Sequence, residues 1–140
     1  HKTYAYIADG AVEEEISQGV GRIAGHLGLS NMIMFYDSNN IQLSTTVEEV
    51  TTENVAMKYE AWGWKVISIN GNDFDEIAAA FKKAREHKGQ PTAIIARTIK
   101  GKGVSFMENQ VGWHGKAPNK EEYETAMEEL EKAGEALCQK

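Results

Sequence analysis

Asp9 and Asn39 are the two residues whose types and spacing point most directly to chemistry. Each closes an apolar run of strand length, residues 3–8 and residues 32–36, and they lie thirty positions apart. If the two strands are neighbours in a parallel sheet, a carboxylate and a carboxamide oxygen converge beyond the carboxyl ends, where such sheets bind ligands. Hard oxygens of this kind suit magnesium, which prefers six oxygens and usually takes some of them from phosphates.

Gly10, directly after Asp9, adds a place where a diphosphate could approach the backbone and the start of the following helix. The glutamates at positions 13–15 suit that helix end but would repel a bare phosphate, and a bridging cation removes the conflict. Asp9-Gly10 alone, or Asn39-Asn40 alone, is more often a turn. Their matched positions after two strands favour the functional interpretation.

The elements that must position these residues follow from the hydrophobic pattern. Between the two strands, apolar residues recur every three or four positions and predict one helix that ends at Gly28 and buries Val12, Ile16, Val20, Ile23, Ala24 and Leu27. The remaining chain alternates in the same way. It predicts a helix ended by Gly63, a strand at 64–69, a helix from Asp73 with Phe74, Ile77, Ala78, Phe81 and Ala84 inward, a strand at 92–99 and a last helix from Asn119.

This alternation predicts an α/β fold in which a parallel sheet carries helices on both faces, with residues 1–140 forming a single domain. The net charge of −6 argues against nucleic acid or an anionic membrane as the main partner. No apolar run approaches membrane-spanning length. The single cysteine, Cys138, has no internal disulfide partner, and we expect a reducing cytoplasmic location.

Five stretches together resemble the transketolase family of thiamine diphosphate-dependent enzymes, and the resemblance runs through nearly all 140 residues. The diphosphate signature is Asp9-Gly10 with Asn39, although Ala8 replaces the first glycine of the family pattern. The family match rests on Asp9-Gly10 with Glu14-Glu15-Ile16-Ser17, Phe35-Tyr36-Asp37-Ser38-Asn39-Asn40-Ile41, Tyr59-Glu60-Ala61-Trp62-Gly63-Trp64, Thr98-Ile99-Lys100-Gly101-Lys102-Gly103 and His114-Gly115-Lys116-Ala117-Pro118.

The resemblance implies the diphosphate-binding domain of an enzyme that moves a two-carbon ketol unit from a ketose phosphate to an aldose phosphate. It implies thiamine diphosphate with magnesium (or calcium) as cofactors. The implied metal ligands are Asp9, Asn39 and the backbone carbonyl of Ile41. Asp9, Gly10 and Asn39 would also belong to the cofactor site.

The resemblance assigns four further residues, each of which has a plainer interpretation. Leu43 and Ile99 fall where the family packs apolar side chains on the cofactor rings, although ordinary core would explain them too. Glu14 matches a carboxylate at the subunit interface, near the route between two active sites, although it is one of three successive glutamates. His114 matches a histidine near the diphosphate and the reacting end of the substrate, where imidazole can move protons. A loop histidine is otherwise most often solvated.

The loop that carries His114 includes residues 106–110, which are typical of transketolases split into two chains. The lysines at positions 100 and 102 could meet phosphate, but surface lysines explain them equally well. In the family, part of the same domain precedes the first strand, and we therefore expect the chain to be a fragment with one sheet edge or face left bare. The implied partners are sugar phosphates and a pyrimidine-binding domain or subunit, in a homodimer or heterotetramer.

Two alternatives stay open at this point. One is a different thiamine diphosphate enzyme, such as a 2-oxo acid dehydrogenase or a deoxyxylulose-phosphate synthase, against which residues 59–64 and 114–118 argue. The other is a non-catalytic fragment or interaction module without bound cofactor.

Overall fold

The computed structural model describes residues 1–138, and its centre is one sheet of four parallel strands in the order β1-β2-β4-β3. The strands are β1 (Thr3–Ala8), β2 (Met32–Ser38), β3 (Lys65–Asn70) and β4 (Thr92–Arg97). β1 and β2 are direct neighbours, in a register that sets Ala8 opposite Asp37. β4 is buried from Thr92 to Ala96, as expected of a central strand covered on both faces. The predicted parallel α/β sheet is confirmed.

Helices cover both faces of this sheet. They are α1 (Asp9–Glu13), α2 (Glu15–His26), α3 (Val47–Val50), α4 (Val55–Ala61), α5 (Phe74–Glu86) and α6 (Lys120–Cys138), with a 3-10 turn at Val111–Trp113. On one face, α1, α2 and α4 pack on Met34 and Tyr36 of β2 and on Ile95 of β4. On the other face, α5 packs on Ile33 and Ile94. Alternate residues of the central strands therefore serve two separate cores.

Glycine ends two of the helices, as the sequence predicts. Gly28 has φ +61°, and the next residue, Leu29, donates its N–H to the Ala24 carbonyl at 3.1 Å. Gly63 has φ +84° after α4, where Trp64 donates to the Tyr59 carbonyl at 3.1 Å. In both cases the residue after the glycine bonds to a carbonyl five positions earlier, which ends the helix. Glycine suits this position because a positive φ is strained for residues with a side chain.

The predicted helix after β1 differs from the structure in two ways. It is interrupted at Glu14, whose ψ of 135° separates α1 from α2. Its predicted inward face is also wrong in part, because four of the six residues are exposed: Ile16, Val20, Ile23 and Leu27. The buried face of α2 consists instead of Gly21 and Ala24. Small residues allow the α2 backbone to lie directly against residues 59–64, which turns the large apolar side chains outward.

The predicted inward face of α5 is correct at Phe81 and Ala84 but wrong at Phe74 and Ala78. Ala80 and Ala84 are its buried residues, while Phe74 is 88% exposed and Ala78 is exposed. Helical geometry places Phe74 to the side of the face that Ala80 and Ala84 define and turns Ala78 largely away from it, which agrees with the exposure of both residues.

β1 forms an open edge of the sheet. Within residues 1–138 it pairs only with β2, and Tyr4 and Tyr6 are 54% and 70% exposed, so this strand is not buried as its apolar composition would suggest. Apolar grooves flank β1 on both faces, one beside Ile16 and Val20 and the other beside Phe35 and Phe81. The predicted bare apolar edge is therefore present. Within residues 1–138, no helix has the length and apolar character that crossing a membrane requires.

Candidate diphosphate and metal site

Asp9 and Asn39 meet at the carboxyl edge of the sheet. The Asp9 side chain is 2% exposed, and its Oδ2 accepts a hydrogen bond of 3.0 Å from the backbone N–H of Asn39. Its Oδ1 accepts a hydrogen bond from the Tyr36 hydroxyl. The sequence predicted that these two residues converge if their strands are neighbours. β1 and β2 are neighbours, and the two residues are in contact.

The buried position of Asp9 has an electrostatic consequence. Burial raises the pKa of its carboxyl group, and the hydrogen bonds from Tyr36 and from the backbone N–H groups of Asn39 and Asn40 offset this only in part. Burial and the neighbouring Asp9 also raise the pKa of the Tyr36 hydroxyl, which therefore stays a donor. A cation beside Asp9 would stabilise the ionised carboxylate that burial disfavours.

The chain turns sharply after Asn39. The Asn39 Oδ1 accepts a hydrogen bond from the N–H of Ile41 at 3.0 Å, and Asn40 adopts a positive φ of 63°. Ile41 is buried and forms an isolated bridge with Thr46, while Gln42 donates to Glu13 Oε1 of α1 at 2.7 Å. Together with the bond from the Asn39 N–H to Asp9, the Gln42 bond holds the Asn39–Ile41 turn against both ends of the short α1.

The donor set suits a cation that completes its shell with ligand oxygens. Within residues 1–138, no group of three or more histidine, cysteine, aspartate or glutamate side chains is arranged to hold a metal ion. Asp9 and Asn39 offer side-chain oxygens that retain free lone pairs, and Ile41 offers a backbone carbonyl. Magnesium in proteins is commonly held by one or two carboxylates together with phosphate oxygens and water, so the residues present fit it.

Gly10 leaves open space beside this pair. It is exposed, and a Cβ built at this position would meet no other group within 4 Å. Packing within the described chain therefore does not require glycine here, and the open backbone fits the approach of an external group. The short α1, only five residues long, offers backbone N–H groups but little helix dipole, in contrast to the long helix that was predicted.

The other predicted site residues lie in three places. Leu43 is 71% exposed, which rules out the ordinary core interpretation, while Ile99 is half-buried. Thr98 donates its N–H to the Ser38 carbonyl at 3.2 Å, which places Ile99 at the same sheet edge as Asn39. Glu14 is exposed at the junction of α1 and α2, and the structure records no side-chain bond for it within residues 1–138.

His114 follows the 3-10 turn and is half-buried rather than solvated. Its N–H donates to the Val111 carbonyl at 2.9 Å, while its buried ring atom Nδ1 has no hydrogen-bond partner within residues 1–138. The adjacent Trp113 packs between Phe106, with ring centroids 5.4 Å apart, and the Lys116 ammonium, 4.0 Å from the ring centroid. These contacts fix the backbone on either side of the imidazole.

The loop that leads to His114 is tied to α6. Ser105 donates from both its backbone N–H and its hydroxyl to Glu129 of α6, each at 2.6 Å. These bonds lower the pKa of the Glu129 carboxyl. Of the lysines at positions 100 and 102, Lys102 lies 3.7 Å from Glu108, a contact that the surface interpretation explains.

Sequence reasoning assigned no role to Tyr36, Asp37, Tyr6 or Thr98, which form hydrogen bonds beside the site. The Asp37 carboxylate accepts hydrogen bonds from Tyr6, Thr98 and Asn39, and the bond from Tyr6 raises the pKa of the Tyr6 hydroxyl to about 12. The available signal was the position of Tyr36 and Asp37, three and two residues before Asn39. Their partners depend on the strand register, which the pattern of one sequence does not provide.

Comparison with known proteins agrees with this geometry. Residues 1–134 match the family described as "Transketolase, thiamine diphosphate binding domain". The chain is 38% identical over 123 residues to the transketolase of Bacillus subtilis, covering 87% of this chain and 18% of that protein. It is 33% identical over 138 residues to one subunit of the apulose-4-phosphate transketolase of Phocaeicola vulgatus, covering 98% of this chain and 49% of that subunit.

Solved structures give the same picture. A transketolase from Campylobacter jejuni superposes with a TM-score of 0.86 at 39% identity, covering 93% of this chain and 20% of that one. A Pichia stipitis transketolase variant, solved in complex with fructose-6-phosphate, gives a TM-score of 0.77 at 26% identity, covering 99% of this chain and 24% of that one. The chain thus spans about a fifth of the one-chain relatives and about half of the separate subunit.

Proposed function

Since the chain belongs to the transketolase family, through its thiamine diphosphate-binding domain, we propose that it supplies the magnesium and diphosphate side of the cofactor site. The complete enzyme would transfer a two-carbon ketol unit from a ketose phosphate to an aldose phosphate. The observation that carries the proposal is the buried contact between Asp9 and Asn39, beside the open backbone of Gly10.

In this proposal the chain holds the cofactor through a shared cation. Asp9, Asn39 and the Ile41 carbonyl bind magnesium (calcium is the alternative ion), Gly10 admits the diphosphate, and Leu43 and Ile99 pack beside the rings. Thiamine diphosphate, when bound, supplies the electron sink for breaking a carbon–carbon bond next to a carbonyl. The exposure of Leu43, an apolar side chain without a place in the core, supports its assignment.

His114 is proposed to act on the reacting end of the substrate or on the diphosphate. Its buried Nδ1 lacks a partner within residues 1–138, as expected of a ring nitrogen whose partner arrives with a ligand. Glu14 is proposed to lie at the subunit interface, near the route between two active sites, and its exposed position leaves it available for such a contact.

The site would be completed by a pyrimidine-binding domain or subunit, in a homodimer or a heterotetramer that acts on sugar phosphates. Residues 1–140 would act as one domain, in the cytoplasm. Two observations support a partner. Large apolar side chains are exposed on α2 and β1, and two matched relatives are transketolase subunits, of which the chain covers 49% and 48%.

The direct test removes one proposed metal ligand. Asp9→Ala in the complete enzyme is expected to abolish magnesium-dependent binding of thiamine diphosphate. Changes to residues that only support a metal ligand typically lower metal affinity by about 10- to 100-fold, and loss of the ligand itself should cost more. Isothermal titration calorimetry with and without magnesium measures this.

The matched control is Asp75→Ala, which removes an exposed aspartate at the start of α5, far along the chain from the strand ends of the site. It should bind as the unaltered enzyme does. An unchanged affinity of the Asp9→Ala enzyme would sink the metal assignment.

A further inference from the structure

Asp37, near the end of β2, is the centre of a hydrogen-bond cluster that the proposed function does not use. Its Oδ2 accepts from the Tyr6 hydroxyl of β1 at 2.7 Å. Its Oδ1 accepts from the Thr98 hydroxyl, just beyond β4, and from the Asn39 amide nitrogen Nδ2 at 3.3 Å. The carboxylate therefore connects two neighbouring strands and the segment after β4 to the side chain of a proposed metal ligand.

The Asn39 side chain is held at both of its ends. Its Nδ2 donates to Asp37, while its Oδ1 accepts from the N–H of Ile41 at 3.0 Å. A half-turn of the amide group would place Oδ1 against the Asp37 carboxylate and Nδ2 against the Ile41 N–H. Both contacts would then be repulsive, since an acceptor would face an acceptor and a donor would face a donor.

We propose that Asp37 is a positioning residue that fixes the amide orientation of Asn39, so that Oδ1, and not the NH₂ group, is presented to the cation. A carboxamide binds a hard cation through oxygen only, and the wrong orientation would turn partly positive hydrogens toward it. The inference rests on the proposed function, because it specifies how one of the proposed ligands is prepared to bind.

Ile41 alone does not provide the same selection. The Ile41 N–H is one neutral donor, whereas Asp37 is a charged acceptor whose hydrogen bonds are stronger than neutral ones. Tyr6 and Thr98 in turn hold the Asp37 carboxylate in place, without touching Asn39 in the described contacts. The two roles can therefore be separated by substitution.

The test is the magnesium concentration that gives half-maximal thiamine diphosphate binding, measured by calorimetry in the complete enzyme. Asp37→Asn replaces the carboxylate by an amide that can face residue 39 with either its oxygen or its nitrogen, so both orientations of Asn39 become compatible. We expect this concentration to rise by about 10- to 100-fold, the range for outer-shell changes at metal sites. Cofactor affinity at saturating magnesium should change much less.

The matched variants are Tyr6→Phe and Thr98→Val, each of which removes one donor to Asp37 and leaves its carboxylate facing Asn39. They should shift the magnesium requirement by less than the ~10-fold lower end of outer-shell effects, since neither Tyr6 nor Thr98 contacts Asn39 and the Asp37 carboxylate that faces it remains. Their thermal unfolding temperatures, measured without ligand, report any purely structural contribution of the cluster.

The double variant Asp37→Asn with Asn39→Asp is the rescue. A carboxylate at position 39 has two equivalent oxygens, so no orientation of it is wrong, and the amide at position 37 can donate to it. It should restore a low magnesium requirement. This variant also keeps the inference testable should the single Asp37→Asn variant fold poorly.

An unchanged magnesium requirement in the Asp37→Asn enzyme would overturn this inference alone. It would also be overturned if the magnesium requirement rose equally in Asp37→Asn, Tyr6→Phe and Thr98→Val, in proportion to the fall in unfolding temperature. Asp37 would then act only by holding the strands together. If the unaltered enzyme binds the cofactor without any magnesium dependence, the proposed function fails as well, and the two failures are thereby distinguished.

Discussion

At the scale of single residues, His114 has an unusual feature, a buried ring nitrogen without a hydrogen-bond partner within residues 1–138. Its Nδ1 is the one buried side-chain nitrogen or oxygen atom that lacks a hydrogen-bond partner in the part of the chain that the structure describes. Leaving a buried polar group unpaired costs about 1–3 kcal/mol. A fold that retains this cost, in a loop held by Trp113 and its neighbours, is consistent with a ring whose partner belongs to a ligand.

His114→Ala in the complete enzyme is expected to lower kcat by on the order of 10²- to 10⁴-fold, the usual contribution of a positioned acid or base. Thiamine diphosphate affinity should fall much less. Steady-state kinetics and cofactor titration measure the two effects separately. His87→Ala, at the end of α5, is the matched histidine control and should change neither. Equal losses in turnover and in cofactor affinity would indicate a binding role for His114 instead.

At this scale, the sequence predicted Asp9 and Asn39 because each polar residue follows an apolar strand, which is a local pattern. The convergence of the pair depended on strand order, and the structure supplies that order. Tyr36 and Asp37 entered the prediction only as members of a family motif, without a role of their own. Their roles depend on the register that sets Ala8 opposite Asp37, and register is a long-range property.

At the scale of elements, residues 59–64 pack closely against the backbone of α2. Tyr59 and Trp64 are buried with ring centroids 5.1 Å apart, and the Trp64 indole N–H donates to the Gly21 carbonyl of α2 at 2.8 Å. A Cβ at Gly25 would lie 1.8 Å from the Trp62 carbonyl oxygen. The sequence pattern favoured the larger apolar residues of this helix as its inner face, since hydrophobicity alone does not reveal where two backbones approach closely.

Gly25→Ala should therefore destabilise the fold by at least the ~1–3 kcal/mol typical of overpacking, because the clash is with backbone rather than with a flexible side chain. Gly19→Ala is the matched control on the same helix, where a Cβ would meet no group within 4 Å. It should raise stability by roughly 0.5–1 kcal/mol through better helix propensity. Urea unfolding measures both. Equal effects of the two substitutions would contradict the assigned contact between α2 and residues 59–64.

The bond between Ser105 and α6 gives a pH-dependent prediction at the same scale. The hydrogen bonds from Ser105 lower the pKa of Glu129, so the folded state favours the ionised carboxylate. The stabilisation is present above the ordinary glutamate pKa and is lost as the pH falls through the lowered one. Compared with Glu129→Gln, the unaltered protein should be more stable at neutral pH, and this difference should disappear in acid.

Denaturant unfolding at a series of pH values measures this difference. Glu128→Gln, a neighbouring exposed position on α6, controls for the loss of one negative charge. A difference between Glu129→Gln and the unaltered protein that persists unchanged into acid would mean that the carboxylate does not hold the loop.

At the scale of the whole molecule, the site occupies one edge of the sheet while apolar surface lies along another. Ile16 and Ile23 of α2, Leu27 directly after it and Tyr6 of β1 are each at least 60% exposed. The sequence predicted a bare apolar edge or face from the family resemblance. It did not predict that α2 contributes to that surface, because the same residues were assigned to the core. The exposed surface supports a chain that works within a larger assembly.

The most direct measurement is calorimetric titration of thiamine diphosphate into this chain, with and without magnesium, and again after addition of a pyrimidine-binding domain or subunit. The proposed function predicts binding that requires magnesium and that tightens with the partner, because Asp9, Asn39 and Gly10 provide only one side of the site. Absence of binding in every mixture, or binding that does not depend on magnesium, would contradict it. Absence of binding would instead favour an interaction module without cofactor.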